Sequence, residues 1–290
     1  MNNVPVAART AAFAIYCLSL ALVHTQVLRA LYDHSRQNET ASHVILIPFI
    51  TLALVYRSRN SIFASARLAW PAGLGVILVG LGLLVTARLY GPSVSPDDAL
   101  AMAVGALVVL WIGGFLLAYG PEAFRAALFP LLFLGFMIPI PALLLDGVIF
   151  ILRTGSTEAV GSLFTLTGTP HYREGFVFSL PTVVIEVADE CSGIRSSIAL
   201  VITSLLAGHT CLDTGWKKAV LVVVTLPLTL LKNGIRIVTL SLLAIHVDPE
   251  FLTGQLHHDG GIVFFLLTLA MLAPILAWLR NSDTMRASAA

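Results

Sequence analysis

The sequence predicts an all-α polytopic membrane protein of about eight transmembrane helices, with a short extracytoplasmic β-hairpin before the sixth. Three observations carry this. Of 290 residues, 57% are hydrophobic and 11% are charged, whereas a soluble domain averages about 25% charged, so the chain cannot cover itself with a solvated surface. Mean hydropathy is +0.90. Apolar runs close to the roughly 20 residues that a bilayer core requires recur from end to end.

Taken in order, the predicted spans are Ala11–Leu31, Val44–Tyr56, Trp70–Leu89, Ala99–Ala118, Ala126–Leu152, Ser192–His209, Ala219–Ile245 and Gly260–Leu279. The first follows the basic Arg9 and resembles a signal peptide, but its apolar run continues past a leader core; it is expected to be a retained span. The second is short and reaches spanning length only as Ser42 to Arg57. Pro48, Pro139, Pro141 and Pro227 fall inside spans and predict kinks. The segment from Arg153 to Glu190 is too polar to span. Within it, Gly175–Leu180 and Thr182–Val187 are rich in β-branched and aromatic residues and predict two strands around Pro181. No repeat or linker divides the chain, so residues 1–290 are expected to form one integral membrane domain.

The loops sort by charge. One set carries Arg9, Arg57, Arg59, Arg67, Arg125, Lys217, Lys218, Arg280 and Arg286; the other carries Asp33, Glu39, Asp97, Asp98, the 153–190 segment and Asp248 to Asp259. The basic set is assigned to the cytoplasm, with both termini inside. The net charge of +1 and the scattered bases exclude a nucleic-acid footprint. Three cysteines, Cys17, Cys191 and Cys211, make no disulfide framework.

The organising stretch is Glu186-Val-Ala-Asp-Glu-Cys191-Ser-Gly-Ile-Arg195-Ser-Ser197. It places a thiol, acids and a base where a strand-like segment gives way to a hydrophobic helix. A helix start here, capped by Asp189 or Ser192, would favour the thiolate of Cys191 through the dipole, with Arg195 adding positive charge and Glu190 and Asp189 opposing it. A buried, inert thiol is the alternative. Lys232, Asn233 and Arg236 interrupt the seventh span; Asn233 and Arg236 share a face, and an arginine at that depth seeks an anion, a carbonyl or water unless it snorkels. His257-His258-Asp259-Gly260-Gly261 opens the last span and offers a base titrating near neutrality, or a polar cap before the helix. By the predicted topology all of these groups lie on the outer side. Metal binding by Cys191, His257 and Asp259 lacks any short-range ligand pair, so no metal and no cofactor are expected.

These motifs resemble those of the exosortase/archaeosortase family of prokaryotic membrane transpeptidases. Glu186 to Ser196 is similar to the family's cysteine motif, Asn233-Gly-Ile-Arg236 to its arginine motif, and His257 with Gly260-Gly261 to its histidine motif. Weaker echoes lie at Ser42-His43 through Pro48, Arg57-Ser-Arg59, Phe133–Pro141, Gly168-Thr-Pro170 and Arg173-Glu-Gly175. The resemblance implies Cys191 as nucleophile, Arg236 as stabiliser of the oxyanion or thiolate, and His257 as acid/base. His258, Asn233, Arg195 and Glu190 are alternative or supporting groups. It also implies a multi-pass protein of the prokaryotic inner membrane. Its partners would be the lipid bilayer and secreted proteins ending in a short motif, a transmembrane helix and a basic tail. Two other readings of the residues stand beside it: a transporter or channel in which Arg236, Glu190 and the histidines line an ion or proton path, and a scaffold without chemistry.

Overall fold

The computed structural model describes residues 5–64, 66–252 and 261–287; the side chains at 190, 191 and 283–287 lie outside that description. The chain is an all-α multi-pass membrane protein. Among the described residues seven helices are long and apolar enough to cross a membrane, or eight if the bent pair Leu128–Met137 and Ala142–Leu166 is counted as one span. The contacts divide the chain into two compact units, Met1–Leu145 and Asp146–Ala290.

The first unit contains α1 (Val6–Val23), α2 (Thr25–Gln37), α3 (Ile47–Arg57), α4 (Arg59–Phe63), α5 (Trp70–Tyr90), α6 (Pro96–Ala126) and α7 (Leu128–Phe133). Helices α5 and α6 form a close hairpin. A Cβ on Gly113 would stand 2.9 Å from the Ile77 backbone nitrogen, so glycine sets the approach. This is how helices pack where lipid removes the hydrophobic drive between them. Ser95 caps α6 through its Oγ, which accepts from the Asp98 amide at 3.1 Å, and Pro96 occupies the first turn. Near the far end of α6, Gly120 takes φ +84 and Pro121 follows. Pro121 lacks the N–H that would serve the Leu117 carbonyl. The Ala69 amide fills that acceptor at 3.3 Å, and the Arg67 amide donates to the Tyr119 carbonyl at 3.0 Å.

The second unit follows from α8 (Ala142–Leu166). It holds β1 (Tyr172–Glu174), β2 (Val177–Ser179), β3 (Val184–Glu186), α9 (Ile194–Cys211), α10 (Gly215–His246) and α11 (Gly261–Ala287). The strands form an antiparallel meander in the order β1-β2-β3. Glu174 pairs with Val177, leaving Gly175-Phe176 as a two-residue turn with Gly175 at φ +60. Glycine first in such a turn is the pattern of type II′ hairpins. Phe178 and Ile185 are cross-strand partners. They join Val187 in a buried cluster with Val160 and Phe164 of α8 and Val238 of α10. The sheet thus lays its apolar face on two helices and keeps its polar face out.

Four expectations need correction. The first predicted span, Ala11–Leu31, is two helices broken at His24 (φ −108, ψ 29). Beyond His24, Gln26, Arg29, Asp33 and Arg36 are exposed while Leu31 and Ser35 are buried, so the hydropathy of 25–31 belongs to one face of an amphipathic helix. Pro48 makes no kink: it sits in the first turn of α3, where a missing N–H costs nothing. The fifth span does not run from Ala126 to Leu152. It is interrupted around Pro139 and Pro141, and α8 then carries helix past Arg153 to Leu166. Of the polar residues that mark its continuation as non-spanning, Thr157 donates to the Arg153 carbonyl and Ser156 is bonded across to α10. The hairpin has a third strand, because β1 joins the two expected ones.

Two bases placed in loops by the sequence are helical and buried. Arg9 lies in α1. Lys217, 1% exposed, sits in the first turn of α10 and donates to the Leu279 carbonyl at 3.0 Å and to Ser282 Oγ at 2.7 Å.

Candidate active site

The site is built around the chain that leaves β3. Glu186 ends that strand, Ala188 is extended (φ −73, ψ 168), and Asp189–Ser192 form a single 3-10 turn that contains the backbone of Cys191. Gly193 then takes the left-handed conformation, φ 75 and ψ 20, and serves as N-cap of α9. Its carbonyl accepts from the Ser197 amide at 3.0 Å and from the hydroxyls of Ser196 and Ser197 at 2.9 and 2.8 Å. The expected cap by Asp189 or Ser192 is absent: α9 has no side-chain cap. Glycine's left-handed turn ends the short helix and restarts the chain in α9, which puts Cys191 two residues before the cap and outside the first turn of α9.

One side chain from α8 holds this exit. Arg153 Nε donates to the Val187 carbonyl at 2.6 Å. Its Nη2 reaches Glu186 Oε1 at 2.9 Å and its Nη1 reaches Asp189 Oδ1 at 3.1 Å. The guanidinium lies over the Phe176 ring at 3.9 Å. The Arg153 side chain is 18% exposed but its two carboxylates are 58% and 60% exposed. The ion pairs alone are therefore worth at most about 1 kcal/mol each. The shielded bond to the Val187 carbonyl contributes the larger share, about 1.5 kcal/mol or more for a charged donor. Arg153→Gln should loosen the turn by about 2 kcal/mol, roughly thirtyfold faster amide exchange over 186–193 at unchanged exchange in the core of α9. Unchanged exchange there would mean that Arg153 does not hold the turn.

From the other side, α10 presents Lys232 and Asn233. A Cβ on Gly193 would stand 3.2 Å from Asn233 Oδ1 and 3.4 Å from Lys232 Nζ, so both side chains lie directly on the turn. Lys232 is 3% exposed and its ammonium donates to Ser196 Oγ at 2.5 Å. Asn233 is fully buried and its Nδ2 donates to Ser156 Oγ of α8 at 3.0 Å. Gly234 lets α8 come close, because a Cβ there would stand 2.9 Å from Ala159 Cβ. Arg236 lies one helical turn beyond Lys232 and Asn233 on the same face and is half-buried. Arg195 is exposed.

Three helices therefore converge on the residues that flank Cys191. A buried ammonium, a buried amide and a guanidinium line one face of α10, and the chain bearing the thiol is pinned against two of them. Such an array can stabilise negative charge on sulfur or on an oxygen. Next to the cysteine, the Ser192 hydroxyl is buried and has no hydrogen-bond partner among the described residues. Buried hydroxyls are seldom left so.

Of the residues singled out in the sequence, the structure joins Asn233 to the turn that carries Cys191 and puts Arg236 one helical turn along the same face. The side chains of Glu190 and Cys191, and all of His257 and His258, lie outside the described residues. Arg153, Ser156 and Ser196 carry no signal in the sequence, since their partners are remote along the chain; Lys232 shows there only as an interruption of the span. Among the described residues no three His, Cys, Asp or Glu side chains are grouped to hold a metal ion.

The sequence matches the family described as "Transmembrane exosortase" over residues 35–274. No curated protein and no solved structure matches the chain.

Proposed function

The chain belongs to the transmembrane exosortase family, and from that premise we propose that it is a cysteine transpeptidase whose nucleophile is Cys191. Membership gives a membrane transpeptidase acting on secreted proteins with C-terminal sorting signals. The observation that supports these particular residues is the packing of the Gly193 turn on Lys232 and Asn233, one helical turn from Arg236.

In this reading the Cys191 thiolate attacks the carbonyl carbon of the scissile peptide just outside the inner membrane. Negative charge gathers on the carbonyl oxygen, and Arg236 takes it up. As the tetrahedral intermediate collapses, the C–N bond breaks, His257 gives its proton to the leaving amine, and the acyl group stays on sulfur as a thioester. An incoming amine or water then loses a proton to His257, attacks the thioester carbonyl and releases the thiolate. Asn233 positions α10 through Ser156, and the Lys232 ammonium adds positive potential behind the turn. Arg195 and Glu190 are supporting groups. The whole of residues 1–290 acts as a single integral membrane domain, with both termini cytoplasmic and the site extracytoplasmic. The partners are secreted proteins ending in a motif, a transmembrane helix and a basic tail.

The histidine assignment is tested by pairing two variants. His257→Ala should lose roughly 10²- to 10⁴-fold in cleavage rate, the usual range for general acid–base catalysis, and His258→Ala should stay within a few-fold of the parent. The reverse pattern moves the role to His258. Activity that survives thiol alkylation of the full chain would remove the enzyme reading altogether and favour an ion or proton path.

A further inference from the structure

The first unit contains a cavity of about 930 Å³. Its walls are apolar and aromatic: Phe13 and Leu20 of α1, Leu52 and Val55 of α3, and Leu107 and Trp111 of α6. Thr10, Arg59 and Asn60 also border it. Two contacts gather these polar residues at one end. The Tyr119 hydroxyl donates to Thr10 Oγ1 at 3.2 Å, and Phe63, at the end of the helix that begins with Arg59, packs on Tyr119 in a tilted pair with ring centroids 4.8 Å apart. The Arg59 guanidinium lies 4.3 Å from the Tyr56 ring and donates to the Tyr56 carbonyl at 2.9 Å, so its position is set. Arg57 and Arg59 flank Ser58. Arg67 pairs there with Glu122 at 2.6 Å. Among the described residues no carboxylate pairs with Arg57, Arg59 or Arg125.

We propose that this cavity is a binding site for one anionic phospholipid, with its acyl chains between α1, α3 and α6 and its phosphate at Arg59. The cavity falls in the range of roughly 300–1,000 Å³ that suits a small amphiphile. Charge points the same way. A signal helix ending in a basic tail would set like charges against Arg59, whereas an anionic headgroup meets a cation that no carboxylate pairs with among the described residues. Apolar walls closed by one cationic end match a molecule with one anionic head.

The test uses the full chain purified in a non-ionic detergent. Native mass spectrometry compares phosphatidylglycerol with phosphatidylcholine bearing the same acyl chains. Wild type should retain one phosphatidylglycerol with roughly tenfold preference, the scale of one or two basic contacts to an anionic headgroup. Arg59→Gln should bind both lipids alike, and Ala21→Trp, which fills the cavity, should lose both. Cys17 borders the cavity and gives a readout that needs no filling variant. In the Cys191→Ala/Cys211→Ser protein, phosphatidylglycerol should slow alkylation of Cys17 and phosphatidylcholine should not. Equal retention of the two lipids by wild type, or alkylation of Cys17 indifferent to phosphatidylglycerol, overturns the proposal. So does better protection of Cys17 by a basic-tailed signal peptide, which would give the cavity to a substrate helix. None of these readouts depends on cleavage.

Discussion

Cys191→Ala is expected to leave the protein inserted in the membrane and to abolish processing of a substrate that carries the sorting signal. The nucleophile is the one group whose removal deletes the covalent route entirely. Loss of a nucleophile acting with its partners costs on the order of 10⁶-fold in well-studied hydrolases, so residual cleavage should fall below detection. The fold should not suffer, because the backbone of the 3-10 turn is held by Arg153 on one side and by the Gly193 cap on the other. The two remaining thiols supply controls. Cys17 is half-buried and Cys211 is exposed, and neither lies on that turn, so Cys17→Ala and Cys211→Ala should cleave normally. The measurement is paired: membrane-fraction yield of the variant, and appearance of cleaved substrate. Normal cleavage by Cys191→Ala would end the assignment, and a mass increment of the acyl-enzyme on Cys191 in wild type would support it directly.

Arg236→Lys keeps the charge but should also cost turnover heavily, though far less than loss of the nucleophile. An oxyanion donor of this kind is worth about 10²- to 10³-fold in turnover. The rigid fork of a guanidinium cannot be copied by an ammonium on a flexible stem. The structure adds a reason why a neighbouring cation does not compensate. Lys232 is the nearest candidate on the same face, but its ammonium is engaged by Ser196 Oγ at 2.5 Å and is buried at the base of the turn. The expected signature is a fall in kcat with little change in KM, since the interaction strengthens only as charge develops. A lysine variant that turns over at the wild-type rate would exclude Arg236 from oxyanion stabilisation.

Much of this arrangement was legible in the chain. The approximate ends of α5, α9 and α10 and the start of α11 follow from hydropathy, since each helix in lipid must be apolar along its own length. The Cys191, Arg236 and His257 motifs stood out because charge and sulfur are conspicuous in apolar sequence. The failures share a cause. Ala11–Leu31 read as one span because hydropathy averages over a helix and cannot see that only one face of α2 is apolar. Arg153 read as the start of a loop because its polarity was visible and its partners, Val187, Glu186 and Asp189, were not.

Residue by residue, the amino-acid order determined that this is a membrane protein, roughly where it crosses, and which side chains could do chemistry. These are local quantities: apolar length per segment and the cost of placing a charge within it. Only the tertiary structure decided that Lys232 reaches Ser196, 36 residues away, that Asn233 reaches Ser156, 77 residues away, and that Arg153 grips the exit of β3. Buried polar groups must find partners, but nothing in their own neighbourhood names them; that choice is made when α8, α9 and α10 pack together.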